Sequence, residues 1–290
     1  MGAIRATAIL SAFMVLTVPL MPVQAALVKL LPRAARRFPN WYHRQVCGLL
    51  GVKLNIEGAV TIDAPVLLVC NHTSWLDIPV LSAVAPLSFV AKKEVGGWPF
   101  VSSLARLQRT VFVDRSKRQA AGEAADEITQ RLASGDTIVL FAEGTSSDGN
   151  RVLPFKTSLF GAVINAETSK THVVVQTAAI VYTHLHGVPL ARADRPHIGW
   201  YGDMEMQSHA WHILKSGPIG VTIRISEPVE LTSFASRKDL ALNSEREVRR
   251  AVLGLLRGNG PNDHLDPVEP GEEERRQRLP AATSVNEKWT

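Results

Sequence analysis

The apolar positions of this chain form two kinds of pattern. One is the short continuous run bounded by turn residues: Val66–Cys70 (VLLVC) after Pro65, Thr137–Phe141 (TIVLF), and the longer β-rich stretch 172–182 (HVVVQTAAIVY). Runs of this length are what strands look like when both faces of a sheet are covered. Shorter runs at 87–91 and Val111–Val113 predict two more strands, and alternation over 221–225 predicts an edge or half-buried one. The other pattern has helical spacing. It predicts helices over 41–50, 120–134 (stopped by Gly135), 157–168, 204–215 (ending at Gly217-Pro218) and 244–257 (stopped by Gly258). Strands alternating with helices predict an α/β fold, a mixed and largely parallel sheet flanked by helices. From Asn259 the composition shifts to Pro, Gly and Glu without apolar periodicity, so 259–290 is expected to be a mostly disordered tail. There is no internal repeat.

The N-terminus follows neither pattern. No charged side chain occurs between Arg5 and Lys29. As a helix that gap would run ~34 Å at ~1.5 Å per residue, enough for a bilayer core. Pro19 and Pro22 interrupt it, so a kinked span and a dip into one leaflet are equal expectations. A basic cluster of Arg33, Arg36, Arg37 and Arg44 follows and would keep the remainder of the chain in the cytoplasm. A cleaved signal peptide is the alternative, with Arg5 as its basic start, 6–18 as its apolar stretch and Val23-Gln24-Ala25 as its cleavage site. The expected organisation is an anchor with a basic collar (1–40), a folded body (41–258) and the tail (259–290).

Composition sharpens this picture. The chain has 290 residues, 46% hydrophobic and 20% charged, which suffices for a sizeable core. Its net charge of +5 is unevenly placed. Residues 1–60 carry seven basic groups and one acid, whereas the other 230 carry 25 basic and 26 acidic. The body is therefore not basic, which argues against a nucleic-acid partner, and the collar points to an anionic membrane surface. Two cysteines, Cys47 and Cys70, exclude a disulfide framework and an all-cysteine zinc site.

The candidate chemistry sits directly after the predicted strands, on the rim where α/β proteins bind ligands. The block Asn71-His72-Thr73-Ser74-Trp75-Leu76-Asp77 follows the first buried strand. His72 and Asp77 would point ~140° apart in one continuous helix. They can meet only if His72 lies in the turn before a helix, capped by Thr73 or Ser74, and Asp77 points back from its first turn. The carboxylate then orients one imidazole nitrogen and leaves the other to take a proton, which is general-base chemistry without a protein nucleophile. A second block, Phe141 to Gly149 (FAEGTSSDG), places Glu143, Gly144 and Thr145 on a rim after another buried strand. A third, Val111-Phe112-Val113-Asp114-Arg115, ends in a guanidinium able to hold an anionic group in bidentate fashion, or simply a surface ion pair.

In order and spacing these blocks resemble the glycerolipid acyltransferase family, whose best-known members acylate 1-acylglycerol-3-phosphate. NHTSWLD (71–77), FVAKKEVGGWPF (89–100), VFVDR (111–115), FAEGTSS (141–147) and LPFKTSLF (153–160) are similar to its successive motifs, and the likeness covers about 45–230. Ala142 replaces a usual proline. Ser146 replaces an arginine with which many members are thought to hold an acceptor phosphate. SSDGNRVLPFK (146–156) and WYGDMEMQSHAW (200–211) are similar to the bacterial branch that acylates lyso-ornithine lipid. The resemblance implies that His72 deprotonates a lysolipid hydroxyl, Asp77 fixes the His72 tautomer, and the alkoxide attacks the thioester of acyl carrier protein or CoA. No cofactor or metal is implied, and no acyl-enzyme, in keeping with the lack of a G-x-S-x-G elbow. It also implies acceptor contacts from Glu143, Gly144, Thr145, Arg115, Lys93 and Lys156, with Lys93 or turn amides facing the oxyanion. The implied location is the bacterial inner membrane, with the catalytic domain on the cytoplasmic side.

Two other readings stay open on the residues alone. His184, His186, His197, His209 and His212 are numerous enough for a metal hydrolase, though no H-E-x-x-H occurs. A non-catalytic membrane-binding module would explain the anchor and collar but not the two polar rim blocks.

Overall fold

The computed structural model describes residues 2–114, 118–161 and 172–258. Two helices come first, α1 (Gly2–Leu30) and α2 (Pro32–Leu50), then β1 (Val52–Glu57) and β2 (Val66–Cys70). Next are α3 (Asp77–Val84), β3 (Ser88–Lys92), a 3-10 turn (Lys93–Gly97), α4 (Val101–Leu107), β4 (Val111–Val113), α5 (Arg118–Ala133) and β5 (Thr137–Phe141). The last part holds β6 (Val174–Leu185), β7 (Val188–Pro189), α6 (Met206–Lys215), β8 (Ile219–Ile225), β9 (Val229–Glu230) and α7 (Arg237–Leu256).

The strands form one sheet in the order β1-β8-β6-β2-β5-β3-β4. From β6 through β2, β5 and β3 to β4 every pairing is parallel, while β6 and β8 are antiparallel. This is the expected mixed, largely parallel sheet flanked by helices. The continuous run VLLVC has a direct cause. Val66, Leu68 and Cys70 pack into one apolar cluster with Val46, Cys47, Leu50 and Val80 of α2 and α3. Leu67 and Val69 pack into a second with Ile128, Leu132, Val248 and Val252 of α5 and α7. Both faces are covered, so no polar residue is tolerated between Val66 and Cys70.

Several elements differ from the sequence pattern for physical reasons. The strand around 221–225 is interior, because β1 covers its outer edge through the register Val52↔Ile219 to Glu57↔Arg224. β1 itself is the true edge, with Val52, Leu54 and Ile56 alternating against Lys53, Asn55 and Glu57. Gly58 closes it at φ 82°, where an added Cβ would lie 2.3 Å from the Ile225 carbonyl oxygen. The helix expected over 41–50 starts earlier, at Pro32, and stops at Gly51 in the left-handed region. The helix expected over 157–168 begins as a 3-10 turn at Thr157–Phe160, and 162–171 lie outside the described residues. The tail expected from 259 on lies outside them too.

α1 is one helix through Pro19 and Pro22, long and apolar enough to cross a membrane by length and composition. It is also tied to the body along its length. Arg5 donates to the carbonyls of Leu50, Leu214 and Ser216. Thr17 bonds Tyr42 at 2.7 Å, and Gln24 donates to the carbonyls of Ala35 and Leu107. Leu10, Met14, Val15, Val18 and Val23 along it remain exposed.

Candidate active site

The sheet topology gathers the candidate residues. Parallel β2, β5, β3 and β4 end side by side, and the chain leaves them through His72, Glu143, Lys93 and Asp114 respectively. Asn71 extends β2 by one step: its side chain donates to the Ile180 carbonyl and accepts the Ile180 N–H, which seals the strand end against β6. His72 then leaves the sheet with its ring stacked on Phe141, centroids 4.1 Å apart.

The required turn is present. Asp77 is the first residue of α3 and points back, so that its Oδ2 accepts from His72 Nδ1 at 2.8 Å. The expected capping by Thr73 or Ser74 is reversed. Neither hydroxyl caps α3; instead the Thr73 and Ser74 backbone N–H groups donate to Asp77 Oδ2 at 2.7 and 3.0 Å. Tyr182 donates to Asp77 Oδ1 at 2.7 Å. Asp77 is fully buried, and four donors satisfy its charge. With that acceptor on Nδ1, the proton of the neutral imidazole sits on Nδ1 and leaves Nε2 free to accept one. The His72 side chain keeps 18% of its surface exposed, so a substrate can reach it.

Glu143 lies beside this pair, almost wholly buried. Its Oε1 accepts the His72 backbone N–H and its Oε2 the Leu153 N–H, both at 2.8 Å. Both carboxyl oxygens therefore brace the loops that carry the site. Burial, and secondarily the Asp77 charge, push the Glu143 carboxyl from 4.5 up to about 7 against the pull of those two N–H donors. A folded-state pKa raised in this way gives stability that is complete below about 4.5 and is lost as pH rises through about 7. Thermal melts across that window should therefore show a decline of order 3 kcal/mol from this group, and Glu143→Gln should flatten it. An unchanged slope in that variant would assign the decline elsewhere.

Three further ties lash the rim blocks together. Ser147 N donates to the His72 carbonyl, Trp200 N donates to the Thr73 carbonyl, and the Ser146 hydroxyl donates to the Trp200 carbonyl. Trp200 also packs edge-on against Trp98. Trp75 donates to His209 Nδ1 at 3.0 Å, and burial lowers the His209 pKa, which suits a neutral acceptor. The segment 198–213 thus forms a wall on the site. Tyr182 carried no signal as a site residue; Asn71, Trp200 and His209 lay within quoted motifs, but the partners of all four stand more than a hundred residues away, so these contacts could not be read from the sequence.

The remaining candidates are less closely gathered. Gly144, at φ 70°, and Thr145 continue the turn after Glu143. Lys93 is exposed and pairs with Asp114 at 3.0 Å. Lys156 is exposed, with its backbone N–H on the Ala142 carbonyl. Arg115 lies outside the described residues. Among the described residues no three of His, Cys, Asp or Glu gather as a metal would need, and His209 is engaged by Trp75, so the metal-hydrolase reading has no ligand set there.

Comparison with known proteins bears on this geometry. A family model described as acyltransferase matches residues 53–181. A lyso-ornithine lipid O-acyltransferase of Brucella abortus (strain 2308) is 46% identical over 259 residues, covering 89% of this chain and 97% of that protein. A 1-acyl-sn-glycerol-3-phosphate acyltransferase of Neisseria gonorrhoeae is 29% identical over 187 residues, covering 64% and 69%. The crystal structure of a 1-acyl-sn-glycerophosphate (LPA) acyltransferase from Thermotoga maritima superposes with TM-score 0.62 at 25% identity, covering 88% of this chain and 98% of that one. The matched segment opens within β1 and closes in β6, one residue short of Tyr182, so it contains the His72–Asp77 pair and the first part of the strand that supplies its tyrosine, and the Brucella protein is similar over nearly its full length: this chain belongs to the acyltransferase family.

Proposed function

We propose that this enzyme moves a fatty acyl group from the thioester of acyl carrier protein or CoA to the free hydroxyl of a lysolipid, with lyso-ornithine lipid as the acceptor. The observation that carries the reading is the part-exposed His72 whose Nδ1 is held by a saturated, buried Asp77. The choice of acceptor is supported by the near full-length similarity to the Brucella protein and by Ser146, whose hydroxyl is spent on the Trp200 carbonyl.

In this mechanism His72 Nε2 removes the acceptor hydroxyl proton as the oxygen attacks the thioester carbonyl carbon. Asp77 stabilises the imidazolium that forms. Collapse of the tetrahedral oxyanion breaks the C–S bond, and the departing sulfur takes the proton back from His72. The ester is made in one transfer, without an acyl-enzyme. Lys93 and the Thr145 amide are the candidate oxyanion donors, since the Gly144 N–H is already on the Phe141 carbonyl. Arg115, Lys93 and Lys156 are the cations available to the acceptor's anionic group, and Glu143 shapes the acceptor side by holding its two loops.

The same reading places the enzyme on the cytoplasmic face of the bacterial inner membrane. The tethers from Arg5 to Gln24 hold ~28 Å of α1 against the body, which favours a helix lying in the interface over one leaving the body to span the bilayer. Its exposed apolar side would enter the acyl region and the collar would face anionic headgroups.

The deciding experiment incubates purified protein with labelled acyl-carrier protein or acyl-CoA and compares lyso-ornithine lipid with 1-acyl-sn-glycerol-3-phosphate. Diacylated ornithine lipid as the main product supports the reading. Preferred acylation of 1-acyl-sn-glycerol-3-phosphate would overturn the acceptor, and no transfer to either would overturn the function.

A further inference from the structure

At the opposite rim of the sheet, where β2, β3 and β5 begin, lies a groove of about 870 Å³. The five-residue strands β2 and β5 separate it from His72 and Glu143 by ~17 Å at ~3.3 Å per residue, so it is not the reaction site. Arg33, Arg36, Arg37 and Arg109 line it, against a single carboxylate, Asp136.

That carboxylate is already committed. Buried Asp136 pairs with Arg36 Nε at 2.8 Å and with Arg109 Nη2 at 2.7 Å, and Arg36 also donates to the Ser134 carbonyl. Arg33 and Arg37 are exposed, and among the described residues neither has an acidic partner. They stand four apart on the first turns of α2, on one helix face, with no acidic residue in the first turn to offset them. Like charges so placed repel each other and oppose the helix dipole, an arrangement that a bound anion relieves.

The walls are apolar. Leu27, Phe38, Trp41 and Ile62 line the groove, Trp41 with 47% and Ile62 with 91% of its surface exposed. The apolar lining continues onto Leu30 and Leu31, at the junction of α1 and α2, which are exposed as well. A free inorganic anion has no use for such walls, whereas an amphiphile uses both halves.

We infer that this groove is a second, non-catalytic lipid site that takes the headgroup of one anionic phospholipid, its phosphate between Arg33 and Arg37 and its glycerol and upper acyl chain along Trp41 and Ile62. The site would fix the rotation of the enzyme on the membrane, beyond the general attraction of a basic collar. It stands on charge and shape at the groove and does not depend on which lipid is acylated.

The test uses the full chain and vesicles of phosphatidylcholine alone or with phosphatidylglycerol. The wild type should bind the anionic vesicles more tightly. Arg33→Ala with Arg37→Ala should reduce that preference about 30-fold, which is ~2 kcal/mol at ~1 kcal/mol per basic side chain near the surface. Ala34→Trp, which adds bulk to the groove lining without changing charge, should reduce it as well. If melting shows that Ala34→Trp disturbs the fold, Trp41→Ala takes its place as the charge-neutral probe. Retention of the full preference in the double arginine variant would remove Arg33 and Arg37 from any part in binding and overturn the site; a loss there with full retention in a folded charge-neutral variant would overturn it in favour of diffuse attraction. Loss of the preference on adding inorganic phosphate alone, at constant ionic strength, would overturn the lipid as its occupant.

Discussion

Replacing His72 by alanine should lower the acyl-transfer kcat by about 10²–10⁴-fold, the range that a positioned general base supplies. The fold should survive the change, because the backbone of residue 72 and not its ring holds the loop. Its N–H is on Glu143 and its carbonyl accepts from Ser147. Asp77 would keep the Thr73, Ser74 and Tyr182 donors after the imidazole is gone. The measurement is initial rate beside a thermal melt and a vesicle-binding assay. Transfer within about tenfold of wild type, at unchanged stability, would remove His72 from the role of base.

The second large effect concerns Asp77, where two substitutions should differ. Alanine removes the charge, the tautomer lock and three further hydrogen bonds. It leaves the Thr73 and Ser74 N–H groups and the Tyr182 hydroxyl without a partner in a buried place. The expected loss is about 10⁴-fold in kcat, with lowered stability. Asparagine should be milder by about tenfold or more. Two backbone donors converge on the Oδ2 position and demand an oxygen there, so the amide nitrogen turns towards the Tyr182 oxygen, which can accept. The His72 tautomer then stays correct, and what is lost is the charge that stabilises the imidazolium. Equal kcat values for Asp77→Ala and Asp77→Asn, both folded, would show that the tautomer argument fails. Without Tyr182 and the two loop amides, the amide introduced by Asp77→Asn would be free to present its nitrogen to His72, and the two variants would look alike.

The groove at the opposite rim gives the collar a second meaning. As charge alone it attracts an anionic leaflet from any direction. With Arg36 and Arg109 spent on Asp136, only Arg33 and Arg37 of the groove's arginines face outward with apolar walls around them, so attraction becomes orientation. On the proposed reading, an enzyme held by both α1 and this groove would present the His72 rim to a membrane lipid in a fixed direction.

Much of the fold was legible because its cause is local. Val66–Cys70 and Thr137–Phe141 are buried on both faces, and a continuous apolar run is the direct consequence. What the runs conceal is the sheet edge. β1 alternates apolar and polar residues, and nothing in 221–225 indicates that β1 lies outside it. Strand neighbours are chosen by packing of distant segments, and a period of two does not reveal who the neighbour is. α1 shows the same limit. Its composition states that it is apolar and long, but the tethers of Arg5, Thr17 and Gln24 decide that it lies along the body.

The site divides in the same way. By itself the chain determined where the candidate residues lie: the blocks that carry His72 and Glu143 follow buried strands, and a rim position after such strands is a matter of sequence order. It also determined that His72 and Asp77, five apart, needed a turn between them in order to meet. Only the tertiary structure decided how that pair is held and which nitrogen stays free. Tyr182 and Ile180 come from β6, Leu153 from beyond the next rim block, and Trp200 and His209 from a segment more than a hundred residues on. Their partners are backbone amides, carbonyls and a buried carboxylate whose demand for donors exists only once water has been excluded, and that demand has no local trace in the order of the residues.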